Sequence, residues 1–199
     1  MWANPTAVHL LAWAFGKGAS GEEEDWSAEV LTSFPCWNAM LIRDLLQEDA
    51  SSIRDIATMT VGFTVPSNYL IWMLSQTQKP LCKVQVDDEG NLRGYVLAVH
   101  TANPEEIFVW QLGIAFQPRA EALRTARALF SSLFEAAASC GVSRAKCSVS
   151  PGSRLKMLEK IVDSVKTAEM RPTGGDVIAD DGTYEVEYLI TRERTITDE

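Results

Sequence analysis

From Met40 onward, apolar residues recur with a period of two or of three to four, and the two periods alternate along the chain. The run "MLIRDLL" predicts a first strand. In "EDASSIRDIATMTV", Asp49 or Ser51 can cap a helix whose Ile53, Ile56, Ala57 and Met59 fall on one side. A second short helix, "SNYLIWMLSQT", follows the turn at Pro66. Two strands, "LCKVQVDD" and "LRGYVLAVHTA", are joined through Asp88, Glu89, Gly90 and Asn91, the strongest hairpin signal in the chain. After Asn103 and Pro104 comes the strand "EIFVWQLGIAF", then a long helix starting near Arg119 and closing at Gly141, a suitable C-terminal cap. "RAKCSVS" predicts a strand, "SRLKMLEKIVDSV" a helix and "TYEVEYLITR" a last strand of alternating polarity.

This order predicts an α+β (mixed α/β) fold, with one central mixed, mostly antiparallel sheet flanked by helices. Three consecutive strands pair antiparallel, while the strand-helix-strand unit forces one parallel neighbour. Function is expected at that parallel unit, outside the carboxyl ends of its strands and beside a helix N-terminus. Residues 39–199 make the main domain. Residues 1–38 form an appendage that holds four of the six tryptophans and the linker "GKGASG", which lacks the preceding strand and the spacing of a phosphate-binding loop.

Composition narrows the partners. A formal net charge of -9 argues against nucleic acid and against an anionic membrane surface, both of which are bound through clustered Lys and Arg. The apolar run "TAVHLLAWAF" is about half the ~20 residues that a spanning helix needs, and no basic segment precedes it. A soluble, cytoplasmic protein is expected. Cys36, Cys82, Cys140 and Cys147 form no CxxC pair and the chain has two histidines, so a metal site is not expected. The thiols read as buried or half-buried and free in a reducing compartment. Neither Cys140 nor Cys147 has a neighbouring histidine, and no GxSxG elbow is present, which leaves covalent catalysis without support.

The strand-turn-helix "FVWQLGIAFQPRAEALRTARAL", followed by the strand-turn-helix "CSVSPGSRLKML", resembles the GNAT superfamily of acyl-CoA-dependent N-acyltransferases. Within it, "IFVWQLGI", "VPSNYLIWML" and "YEVEYLI" look like the diaminobutyrate acetyltransferases of ectoine biosynthesis; the resemblance covers roughly residues 40–192. It implies a V-shaped opening in the sheet with acetyl-CoA as co-substrate, held by the backbone of Leu112, Gly113 and Ile114. Arg119, Ala122 and Arg124 on the following helix, and Ser153 at the next, complete the implied cofactor site. The superfamily loop, an Arg or Gln followed by two glycines, falls on Glu121, Ala122 and Arg124, or in another register on Gln117, Ala120 and Ala122. Both glycines are replaced. The family's Asp-Leu-Asn-Ser stretch falls on Gly62, Phe63, Thr64 and Val65, which removes the acidic residue expected near the substrate amine. A homodimer is implied by the same analogy.

Acyl transfer to an amine needs a proton acceptor, because a primary amine with a pKa near ~10 is almost wholly protonated at neutral pH. Glu187, which fits the family glutamate on the last strand, is the candidate for binding the ammonium and receiving its proton. A solvated carboxylate alternating with Val186 and Tyr188 is the other reading. Tyr184, in place of a family histidine, and Tyr69 are candidate phenol donors to the leaving thiolate, although both also suit core or rim positions. Trp110 fits the family tryptophan that shapes the substrate pocket, or an ordinary core tryptophan. His100 reads as a surface histidine without a partner acid. The expected activity is N-acetylation of the primary amine of a small molecule, nearest to L-2,4-diaminobutyrate; a GNAT-like binding or regulatory domain without catalysis is the alternative.

Overall fold

The computed structural model describes residues 40–61, 79–149, 153–172 and 184–191, together with Pro66, Asn68, Ile71, Leu74 and Ser75. The expected appendage at 1–38 and Tyr69 lie outside them. Seven strands form one sheet: β1 (Leu41–Asp44), β2 (Lys83–Val86), β3 (Leu92–His100), β4 (Glu106–Ile114), β5 (Arg144–Val149), β6 (Ala168–Pro172) and β7 (Tyr184–Ile190), in the order β1-β2-β3-β4-β5-β7-β6. Three helices accompany it: α1 (Ala50–Val61), α2 (Arg119–Ser139) and α3 (Ser153–Val162). All neighbours pair antiparallel except β4 and β5, as the strand-helix-strand unit requires.

The local signals act through identifiable bonds. Between β2 and β3, Gly90 takes φ +83, and the Asp87 carboxylate accepts the amides of Glu89 (3.1 Å) and Asn91 (2.8 Å). At the end of α2, Gly141 has φ +86, and its amide and that of Val142 return to the carbonyls of Ala138 and Ala137, a Schellman closure. One strand was not expected. β6 is only five residues, in which Ala168, Met170 and Pro172 alternate with Glu169 and Arg171, and it ends in Pro172, tolerable because β6 is the edge of the sheet.

Two layers of core follow from the alternation of the strands. On one face, α2 and α3 bury Leu129, Phe130, Leu133, Phe134, Leu158 and Ile161 against Val96, Ile107, Val109, Leu112, Ile114, Cys147 and Tyr188. On the other, Ile53, Ile56 and Ala57 of α1 cover Val84, Tyr95 and Leu97. Met59, expected on the same side of α1, is 56% exposed. Asp49 does not cap α1: it lies in a 3-10 turn, where its carboxylate accepts the Leu46 amide (2.8 Å) and both terminal nitrogens of Arg43 (2.7 and 2.8 Å). Cys82 and Cys147 are buried thiols, but Cys140 is exposed. Among the described residues no group of His, Cys, Asp and Glu is arranged to hold a metal ion, and no helix is long and apolar enough to cross a membrane.

Candidate active site

The sheet opens where its two parallel strands meet. β4 pairs with β5 only at Glu106↔Arg144, Ile107↔Ala145 and Phe108↔Lys146, after which β4 continues to Ile114 without β5 beside it. β3 stays paired with β4 over this stretch, through Leu97↔Gln111, Val96↔Leu112, Tyr95↔Gly113 and Gly94↔Ile114. Its carbonyl at Arg93 accepts the Ala115 amide (2.9 Å). Because main-chain groups alternate in direction along a strand, Gly113, like Ala115, turns its N–H and C=O toward β3, while Leu112 and Ile114 turn theirs into the opening. Of the three residues expected to present amides here, two have that orientation. Gly113 does not, because its main chain completes the β3 ladder.

Gly113 has a different task. A Cβ built on it would lie 2.3 Å from Cε1 and 2.4 Å from Cζ of Tyr95, so the tyrosine ring lies across the strand directly over this glycine. The space that glycine leaves for close approach is filled by Tyr95 rather than being open to a ligand. Three residues earlier, the register slips between Leu97 and Ala98 of β3, which face Gln111 and Val109, and Trp110 is the extra residue of a β-bulge. Trp110 is half-buried and packs against the α1 core. The bulge places the tryptophan on the α1 face at the point where β4 and β5 part.

The helix corner carries the second half of the site. Pro118 precedes α2 with φ -53 and ψ 143 and supplies no side-chain cap. Its carbonyl accepts the amides of Glu121 (2.9 Å) and Ala122 (3.0 Å). Ala122 is also buried in the core by its methyl group, so it offers a ligand neither side chain nor amide; this expected contact is withdrawn. The same burial explains the missing glycines: the chain is already helical at Ala122, and no left-handed residue is needed there. Arg119 is exposed and Arg124 half-buried in the first turns of α2. Glu121 stands between them, with Arg93 of β3 at 3.8 Å. Gln117 donates from Nε2 to the Thr125 hydroxyl (3.1 Å), and its own buried amide oxygen has no partner among the described residues.

The expected proton-transfer residues lie on β7, one strand further on. Glu187 is half-buried and lies opposite Lys146 of β5, level with the last paired residues of β4 and β5. It shares the α1 face with Glu185, Lys146, Glu106 and Trp110, since Val186 and Tyr188 point into the opposite core. Lys146 reaches Glu106 at 3.1 Å and Glu185 at 4.0 Å. Its bond to Glu106, opposed by burial, raises its pKa, as do the charges of Glu106, Glu185 and Glu187. Burial pushes the Glu106 carboxyl up, but bonds from Lys146 and Thr101 outweigh this and hold it below the usual range. Tyr184 pairs in register with Val149 at the open end, and Ser153 begins α3. His100 ends β3 at a distance along the strand from the opening, with a buried Nδ1 that has no partner among the described residues. Sequence reasoning missed Tyr95, whose only sign is a tyrosine opposite a glycine once the register is known.

No protein-family model and no curated protein matches the sequence. Solved structures do match in three dimensions. Ard1 from Thermoplasma volcanium is 13% identical, with a TM-score of 0.58 over 78% of this chain and 99% of its own. A GNAT superfamily phosphinothricin acetyltransferase from Sinorhizobium meliloti, solved with acetyl-CoA, is 16% identical, with a TM-score of 0.58 over 76% and 89%. A diaminobutyrate acetyltransferase from Paenibacillus lautus, in complex with L-2,4-diaminobutyric acid and coenzyme A, is 19% identical, with a TM-score of 0.53 over 78% and 96%. At these identities the likeness is one of fold, and the fold of this chain is that of the GNAT acetyltransferases.

Proposed function

We propose that this protein is an N-acetyltransferase that transfers the acetyl group of acetyl-CoA to the primary amine of a small molecule, with L-2,4-diaminobutyrate as the nearest named candidate. The observation that carries the reading is the short β4–β5 pairing, which ends at Phe108↔Lys146 and leaves Leu112 and Ile114 with main-chain groups directed into the gap. Those groups suit the amide and carbonyl pattern of a pantetheine arm. The uncapped start of α2, with Arg119 and Arg124, suits a pyrophosphate.

The chemistry then distributes as follows. Glu187 takes a proton from the substrate ammonium, freeing the nitrogen lone pair. The nitrogen attacks the thioester carbon, and the negative charge that develops on oxygen is met by a main-chain N–H of Leu112 or Ile114. The carbon–sulfur bond breaks, its electron pair leaves on sulfur, and Tyr184 donates the proton that yields the free thiol; the second proton of the attacking nitrogen, acidic once the C–N bond has formed, is lost as the amide forms and restores the Tyr184 hydroxyl through solvent. Trp110, raised by the bulge, borders the amine pocket. Glu187 is half-buried on the face of the sheet that also carries Trp110, where the amine would enter.

Titration with acetyl-CoA tests this directly. Binding at a hundred times Kd adds about 2.7 kcal/mol of stability, which raises Tm by roughly 5–10 °C for a chain of this size. No shift at millimolar acetyl-CoA would refute the reading. A second reading, a GNAT-like binding or regulatory domain without catalysis, is favoured by Glu121, whose carboxylate stands in the first turn of α2 with Arg93 3.8 Å away. Thiol release from acetyl-CoA in the presence of L-2,4-diaminobutyrate separates the two.

A further inference from the structure

Arg93 carries a guanidinium whose donors the protein does not use. Its side chain is 29% exposed, and Nη2 lies 3.8 Å from Oε2 of Glu121, close enough for an ion pair and too far for a hydrogen bond. Asp87 of the neighbouring hairpin senses the charge without bonding to it. A guanidinium offers five N–H donors, yet among the described residues none of them is accepted. A largely covered cation without a hydrogen bond is costly, and it calls for a partner from outside the chain that still leaves it reachable. The sheet delivers this group to the corner at Pro118. Gly94 pairs with Ile114 and the Arg93 carbonyl accepts the Ala115 amide at 2.9 Å, so Arg93 is level with the end of β4, where the chain turns into α2. Helix side chains lean toward the helix N-terminus, so Glu121, in the first turn, draws the guanidinium toward that end of α2. There the amides of Glu121 and Ala122 are spent on the Pro118 carbonyl, and a diphosphate at this corner needs donors from elsewhere.

Resting on the acetyltransferase reading above, we propose that Arg93 binds the diphosphate of acetyl-CoA, a side chain from β3 taking the part of loop amides that this corner does not offer. A planar guanidinium with unspent donors engages a phosphate through two parallel N–H bonds, and its remaining edge still faces a carboxylate. Glu121 is then a positioning residue, which holds the guanidinium at the start of α2 and matches its charge before the cofactor arrives. Arg93 touches no reacting atom, so its effect falls on the affinity for the donor and only on the part of the donor that carries phosphate.

The test uses the full-length protein and its Arg93→Gln variant, with affinities measured by calorimetry for three donors. These are acetyl-CoA, S-acetyl dephospho-coenzyme A, which keeps the diphosphate and lacks the ribose phosphate, and S-acetylpantetheine, which has the thioester and the arm but no phosphate. Arg93→Gln should bind acetyl-CoA and the dephospho form more weakly by about tenfold or more, the loss expected for a charge-assisted bond. Its affinity for S-acetylpantetheine should stay within about twofold of wild type, since that donor offers Arg93 nothing to hold. Added salt should weaken acetyl-CoA binding more steeply in wild type than in the variant. Unchanged acetyl-CoA affinity, an equal loss for all three donors, or a loss confined to acetyl-CoA itself would overturn this inference while leaving the acetyltransferase reading intact. Failure of wild type to bind any of the three would overturn that reading and this inference together. If Arg93→Gln failed to fold, Arg93→Lys, which keeps the charge but not the paired donors, should still lose about threefold or more in affinity for the two diphosphate donors, and wild-type binding of both would overturn the proposal.

Discussion

Replacing Gly113 by alanine adds one methyl group at the most crowded glycine beside the site. The new carbon would lie 2.3 Å from Tyr95 Cε1, 2.4 Å from Cζ and 2.7 Å from the hydroxyl oxygen. Carbon atoms pack at about 3.5–4.0 Å, so the ring must move by roughly 1 Å or more. It has little room, because Tyr95 is 0% exposed and lies among Leu97, Val84 and the α1 residues Ile53 and Ile56. Overpacking a core costs about 1–3 kcal/mol, and losing the packing of a buried aromatic ring costs about 3–5 kcal/mol. We therefore expect Gly113→Ala to destabilise the protein by about 3 kcal/mol, lowering Tm by roughly 6–12 °C. Urea denaturation of the wild type, Gly113→Ala, Tyr95→Ala and the double variant completes a thermodynamic cycle. Once the ring is gone the methyl has space, so the double variant should be less destabilised than the sum of the singles by about 1.5 kcal/mol or more. A Gly113→Ala protein within about 0.5 kcal/mol of wild type, or strict additivity with Tyr95→Ala, would refute the packing of Tyr95 on Gly113.

Other expectations follow from single groups. Burial pushes the Asp49 carboxyl up, but the bond from Arg43, the Leu46 amide and the Arg43 charge outweigh it and hold its pKa below the ordinary value. Its contribution is thus present above about pH 4 and lost as pH falls through the depressed folded value. Asp49→Asn should lower stability at pH 7 by about 2 kcal/mol and flatten the acid limb of stability against pH, and an unchanged acid limb would contradict the assignment. Glu121→Gln removes a negative charge from the start of α2 and should tighten acetyl-CoA binding about fivefold by calorimetry, on the order of 1 kcal/mol; weaker binding would mean that the Arg93 pair shapes the corner. Glu187→Gln should lower kcat by about 10²–10⁴-fold while leaving acetyl-CoA affinity unchanged, and full retention of kcat would assign the carboxylate to the solvated surface.

Most of the fold is legible because it depends on local chemistry. Gly90 and Asp87 mark their hairpin, Gly141 closes α2, and the alternating runs of β3 and β4 place their own side chains in two cores. The parts that are not legible depend on register. That Trp110 is a bulge residue follows only from how β3 and β4 pair, and that Gly113 lies beneath Tyr95 follows only from their being opposite one another. β6 alternates Ala168, Met170 and Pro172 with Glu169 and Arg171, but five residues ending in a proline are too short a run to stand out as a strand. The corner after Pro118 shows the same limit in the other direction. A glycine pattern sought at Ala122 implies a loop, whereas the structure already has a helix there with the methyl in the core.

The proposed acetyl transfer depends on the main chain of Leu112 and Ile114 being the wall on which acetyl-CoA lies. An amide-resolved titration, following the N–H resonances of these two residues as acetyl-CoA is added, addresses that claim without requiring an amine or turnover. Saturable shifts are expected at both amides, with slower hydrogen exchange in the bound state. Resonances at Leu112 and Ile114 that stay fixed at millimolar acetyl-CoA would contradict it.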